Sequence, residues 1–113
     1  MKRMIYILLM ALALSVIGSN ANASTVVGSI SCKQWLDRKN NPAVDDAYSI
    51  WLQGYLLGAN AMYGEIVGRD FLRYADRTPV ADWTDLYCQK YPDSMLYDSA
   101  NALIKKLQKD SQL

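Results

Sequence analysis

From Ala43 to about Tyr63 the larger apolar residues fall at Val44, Tyr48, Trp51, Tyr55, Ala59 and Met62. Steps of three and four trace one stripe of an α-helix. Asp45 and Asp46 occupy its first turn, where carboxylates suit the positive end of the helix dipole, and Gly64 is the expected stop. Upstream, Ser31-Cys32-Lys33-Gln34 fits a capping box, with Ser31 as N-cap and Gln34 reaching back. That first helix is short, because Asn40-Asn41-Pro42 breaks it. Downstream, Thr78-Pro79 is a start pair for a helix through Trp83, Leu86, Tyr87 and Cys88, which Pro92 ends at or before Tyr91. A last helix opens at Pro92 or Asp93, with Leu96, Ala100, Leu103 and Leu107 inward and Lys105, Lys106 and Lys109 near its end. Between Gly64 and Thr78 the pattern is weak. Asp70 to Tyr74 allows a turn or two of helix, or an ordered connection with Phe71 and Leu72 tucked beneath it.

The expected fold is therefore all-α: a small single-domain bundle of four to five helices over residues 31–113. Gly54 and Gly58 lie beside the stripe of the second helix, in WLQGYLLGAN. Each costs about 1 kcal/mol of helix propensity against alanine, so they are expected to form a helix-packing seam. The C-terminal helix is the expected neighbour, and a second copy, giving a homodimer, is the alternative. The expected core comprises Trp35, Leu36, Trp51, Tyr55, Trp83, Leu96, Leu103 and Leu107.

The first 23 residues change the compartment. Lys2 and Arg3 precede an apolar run from Met4 to Ile17, and the stretch closes on Ala21-Asn22-Ala23. This is the layout of a cleavable signal peptide, with the cut expected after Ala23 and a loose leader over residues 24–30. The run is shorter than the roughly 20 residues that span a bilayer, so no membrane association is expected after cleavage. The mature chain carries ten basic and eleven acidic side chains, a formal charge of −1. Such a balance offers no basic footprint for nucleic acid. Cys32 and Cys88 are the two cysteines of an exported chain, and no C-x-x-C motif is present. A disulfide is the expected state. It would clip the first helix to the third, stabilising a small core by roughly 4 kcal/mol in the chain-entropy account.

Candidate chemistry is thin. The chain contains no histidine, which removes the commonest general base and zinc ligand. Asp45 and Asp46 diverge by about 100° on a helix. Asp82 and Asp85 share a face but read as two solvated carboxylates. No Gly-rich phosphate loop precedes a helix. No enzyme activity, catalytic residue, metal or cofactor is expected. Aromatics are abundant, with three Trp, eight Tyr and one Phe in the chain, and a small domain cannot bury so many. Tyr63, Tyr74 and Tyr91, near helix ends, are the candidates for contacting a protein partner.

The order of features, C-x-x-W-L, then W-L-x-G-Y-x-x-G, then Y-C-x-x-x-P and an amphipathic helix ending in lysines, resembles the HdeA-like small periplasmic acid-stress chaperones. It is also similar to the Rap/Tai immunity proteins of type VI secretion. The resemblance spans most of Ser31 to Lys109. It implies a Cys32–Cys88 disulfide, a core containing Trp35, Leu36, Trp51 and Tyr55, and a non-enzymatic function. The reading is a periplasmic protein-binding module, chaperone-like or immunity-like, acting on a protein partner or on unfolded clients. The alternative is a structural or assembly component of a secretion or conjugation apparatus.

Overall fold

The computed structural model describes residues 29–77 and 79–112. Among the described residues the α-helices are α1 (Cys32–Asp37), α2 (Pro42–Val67), α3 (Val80–Lys90) and α4 (Leu96–Asp110), with 3₁₀ segments at Arg38–Asn40 and Phe71–Arg77. The protein is a small all-α domain stapled by the Cys32–Cys88 disulfide. The expected signal peptide, most of the leader and the Thr78 cap lie outside the described residues.

Local chemistry sets the helix ends. At α1 the capping box forms in both directions: Ser31 Oγ accepts from Gln34 N at 3.1 Å, and Ser31 N donates to Gln34 Oε1 at 2.8 Å. Asn41 caps α2 by accepting from Ala43 N at 3.2 Å, with Pro42 at the first helical position. Helix α2 passes the expected stop at Gly64 and ends at Gly68, whose φ of 72° is the left-handed cap that glycine adopts without a Cβ penalty. Its overrun is held by Asn60. That side chain accepts from Phe71 N at 3.0 Å and Leu72 N at 3.3 Å, and donates to Asp70 Oδ1 at 2.9 Å. The chain thereby turns back, and Phe71 enters the core fully buried. Helix α4 starts at Leu96, later than Pro92 or Asp93, because Asp98 Oδ2 accepts from Met95 N at 2.9 Å and fixes the first turn.

The core gathers Trp35, Leu52, Leu56, Phe71, Leu96, Ala100, Leu103 and Leu107 around the disulfide. Both cysteines are fully buried, and their Cα atoms are 4.9 Å apart. Leu36, Trp51, Tyr55 and Trp83 are half-buried and pack against this cluster from its rim. On α2 the fully inward positions are Leu52 and Leu56, flanked by Tyr48, Tyr55, Ala59 and Tyr63, whereas Met62 is 63 % exposed. The stripe is therefore rotated from its expected line, and the smaller leucines go deepest. Tyr55 Oη donates to Asn101 Oδ1 at 2.8 Å and ties α2 to α4.

Ile30, assigned to the loose leader, is instead a core residue at 8 % exposure. Leu96 N donates to Ile30 O at 2.7 Å and Cys32 N donates to Ser94 O at 2.9 Å. These form one antiparallel bridge at Ser31 and Met95. It anchors the entrance of α1 to the entrance of α4, beside the disulfide.

Candidate interaction surfaces

Among the described residues the most enclosed charge belongs to Arg38, at 4 % exposure. Its guanidinium stacks over Trp35, with Cζ 3.8 Å from the ring centroid. Nη1 donates to Trp35 O at 3.0 Å and to Asp85 Oδ1 at 2.8 Å. Nε lies 2.9 Å from Asp45 Oδ1, close enough for charge pairing but off the line of its N–H bond. Trp35 Nε1 donates to the same Asp85 Oδ1 at 2.8 Å, and exposed Lys39 reaches Asp85 Oδ2 at 3.2 Å. Asp85 is thus no solvated carboxylate. Burial would raise its pKa, but the hydrogen bonds from Arg38, Trp35 and Lys39 and the Arg38 charge outweigh it and hold the carboxyl below its ordinary value.

This cluster joins α1, α2 and α3 at one point, with both Asp85 oxygens accepting hydrogen bonds. A carboxylate held ionised is a poor proton donor. Asp82 is exposed and does not join it. Among the described residues no group of three His, Cys, Asp or Glu could hold a metal ion. The cluster holds helices together.

The candidate aromatics separate. Tyr63 is half-buried with its ring edge-on to Phe71 at 5.5 Å, so it serves the core. The Tyr74 side chain lies outside the described residues. Tyr91 is 45 % exposed, with its ring 4.9 Å from that of Tyr87 and Lys90 Nζ 5.4 Å from its centroid. It borders a groove of about 360 Å³ between α3 and α4, lined by Trp83, Leu86, Tyr87, Lys90, Tyr91 and Ala102. Leu86, 67 % exposed, projects at its rim. An apolar floor, aromatic walls and one cation suit an apolar or aromatic side chain carried next to an acidic group. Leu86 had no signal of its own in the sequence. Its one distinguishing feature is that it falls between the two inward positions Thr84 and Cys88.

A second apolar surface lies on the far side of α2. Ile50 and Leu57 are 68 and 61 % exposed there, whereas Met62 and Ile66, 63 and 76 % exposed, lie about 120–160° round the helix from Ile50. Gly54 and Gly58 open onto this side, and a Cβ built at either would meet nothing within 4 Å. The expected packing of these glycines against the C-terminal helix is therefore wrong. That helix meets α2 on the opposite face, through Leu52, Leu56 and Tyr55. Although α2 is long, no helix among the described residues is long and apolar enough to cross a membrane.

Comparison with family models, with curated proteins and with solved structures gave no match.

Proposed function

We propose that the protein is an exported, non-enzymatic protein-binding module that takes an apolar side chain of its partner into the groove between α3 and α4. The observation that carries this reading is the groove itself, with Leu86 and Tyr91 held exposed on a helix that the disulfide fixes at Cys88. Exposed Leu and Tyr lose contact with water on binding and contribute without any rearrangement of the fold. The absence of histidine from the chain fits binding better than acid–base chemistry. The HdeA-like and Rap/Tai resemblance supports a partner of chaperone-client or toxin type, in the periplasm.

The chaperone form of this reading draws support from the Arg38 cluster. At about pH 2–3 carboxylates protonate, and basic side chains are left unopposed. As the pH falls through the lowered titration range of Asp85, that carboxylate ceases to balance a buried guanidinium. The domain loosens at the junction of three helices and exposes more apolar surface to clients.

Affinity capture from periplasmic extract at neutral pH, paired with a client-aggregation assay at pH 2–3, tests the reading. One stoichiometric partner identifies an immunity or assembly role. Suppression of client aggregation identifies a chaperone. No captured partner together with unaltered aggregation refutes the proposal.

A further inference from the structure

Helix α3 sets two rows of side chains next to each other on its outer side. Trp83, Tyr87 and Tyr91 form the wall of the groove, and Asp82, Leu86 and Lys90 form the ridge beside it. Each row repeats every four residues, the spacing that makes a ridge on a helix surface. The wall is held in place: Trp83 Nε1 donates to Ser99 O at 3.4 Å, and the Tyr87 and Tyr91 rings lie 4.9 Å apart. The ridge is exposed along its length, with an acid at one end, a leucine in the middle and a base at the other. Among the described residues neither Asp82 nor Lys90 takes part in an ion pair. Across the groove, Asp98 and Lys106 stand four residues either side of Ala102 and are engaged within α4. Asp98 Oδ2 accepts from Met95 N at 2.9 Å, and Lys106 pairs with Asp110 at 2.7 Å.

We infer that a second copy of this chain covers the groove while the partner proposed above is absent, with the two α3 helices antiparallel about Leu86. The inference rests on the reading of the groove as a binding surface. Asp82 and Lys90 stand four residues before and after Leu86, about 6 Å of helix rise on either side. A two-fold axis at Leu86 therefore sets Asp82 level with the second copy's Lys90, and Lys90 level with its Asp82. Ridges of four-residue spacing lie along one another when two helices cross at about −50°, the commonest crossing in globular proteins. In that arrangement Leu86 enters the second copy's groove, between its ridge and its Trp83–Tyr87 wall, and receives that copy's Leu86 in return. A parallel pair would set Asp82 on Asp82 and Lys90 on Lys90. The ridge is complementary to itself only when reversed, and a second copy supplies that reversed ridge.

The two parts of the ridge do different work. Leu86, 67 % exposed in the single chain, leaves water on pairing and supplies the attraction. The two Asp82–Lys90 pairs sit at an exposed rim, where they add little affinity but fix orientation and register. Antiparallel pairing also opposes the two α3 dipoles. The second copy and the partner compete for one groove. Self-association therefore keeps the apolar surface covered, and a partner that binds more tightly displaces it.

Charge reversal decides the geometry. In sedimentation equilibrium, the wild-type chain with its disulfide formed is expected to dimerise reversibly at tens of micromolar. Asp82→Lys and Lys90→Asp should each weaken the dimer roughly tenfold, because each turns two rim attractions into repulsions. The double variant Asp82→Lys, Lys90→Asp should dimerise like wild type, since antiparallel pairing re-forms both pairs with their signs exchanged. Helical circular dichroism should be the same in all four chains, as both positions are exposed. A monomeric wild-type chain, a dimer unaffected by Asp82→Lys, or a double variant that stays monomeric would overturn the inference, whatever the groove captures. Affinity capture with Asp82→Lys, which keeps Leu86 and the aromatic wall, tests the groove reading separately. Capture at least as strong as with wild type is expected. A charge-dependent dimer with no captured partner would leave the pairing standing and count against the partner alone.

Discussion

Replacing Asp85 by asparagine removes one negative charge and leaves the side-chain shape intact. Arg38 is then buried at 4 % exposure with Asp45 as its remaining carboxylate. Removing one partner of a buried ion pair costs about 3–5 kcal/mol. The Asp85 side chain keeps 17 % exposure, and Asp45 still offsets part of the guanidinium charge, so the loss falls at the lower end, about 3 kcal/mol. For a domain of this size that lowers the melting temperature by roughly 15 °C. Lys39 contributes little to this figure, since its side chain is 68 % exposed.

The effect carries a pH signature. The folded-state carboxyl of Asp85 titrates below its ordinary value, which is about 3.9 in an unfolded chain. Its contribution is therefore complete above that pH and is lost as the pH falls through the folded value. Urea unfolding of wild type and Asp85→Asn at pH 7, 5 and 3 should show an equal gap at pH 7 and 5, narrowing toward pH 3. A gap below about 0.5 kcal/mol at pH 7, the range of ordinary surface substitutions, would refute the reasoning. So would a gap that stays constant to pH 3.

Three further outcomes follow from the same structure. Replacing Cys32 and Cys88 together by alanine should lower stability by about 4 kcal/mol, read by urea unfolding beside the oxidised parent; a loss under 1 kcal/mol would mean the staple closes no significant loop entropy. Gly68→Ala should cost about 1 kcal/mol, because φ of 72° is strained with a Cβ, whereas Gly58→Ala should add about 1 kcal/mol through helix propensity in open space. Thermal melts of the two variants should therefore move in opposite directions. Asn60→Ala should cost about 1–2 kcal/mol and expose the amides of Phe71 and Leu72 to hydrogen exchange, since both donate to the lost oxygen.

The parts of the fold that could be read in advance are those decided within a few residues. Ser31 and Gln34 are three apart, and their mutual capping needs nothing from elsewhere. The α4 stripe at Leu96, Ala100, Leu103 and Leu107 has one apolar face only, so its direction was unambiguous. Helix α2 has two, and periodicity alone does not say which of them is covered by this chain. Large aromatics point to the inner line, but Leu52 and Leu56 are the more deeply buried, at 2 and 3 % exposure. Gly64 and Gly68 are equally good stops in sequence. Asn60 decides between them by holding Asp70, Phe71 and Leu72 against the helix. Asp85 looked solvated because its partners are 46 to 50 positions away. No local pattern marks a carboxylate that meets an arginine across the bundle. The surfaces were legible only in part: Tyr91 was expected to be exposed, but its neighbour Leu86 and the groove they share depend on how α3 packs against α4.

The binding reading is tested most directly by site-specific photo-crosslinking in cells, with a photoreactive residue at Leu86 or Tyr91 and a control at exposed Lys109. A discrete adduct to another protein is expected from both groove positions and none from Lys109. Adducts of equal yield from Lys109, or none from either groove position, would contradict it.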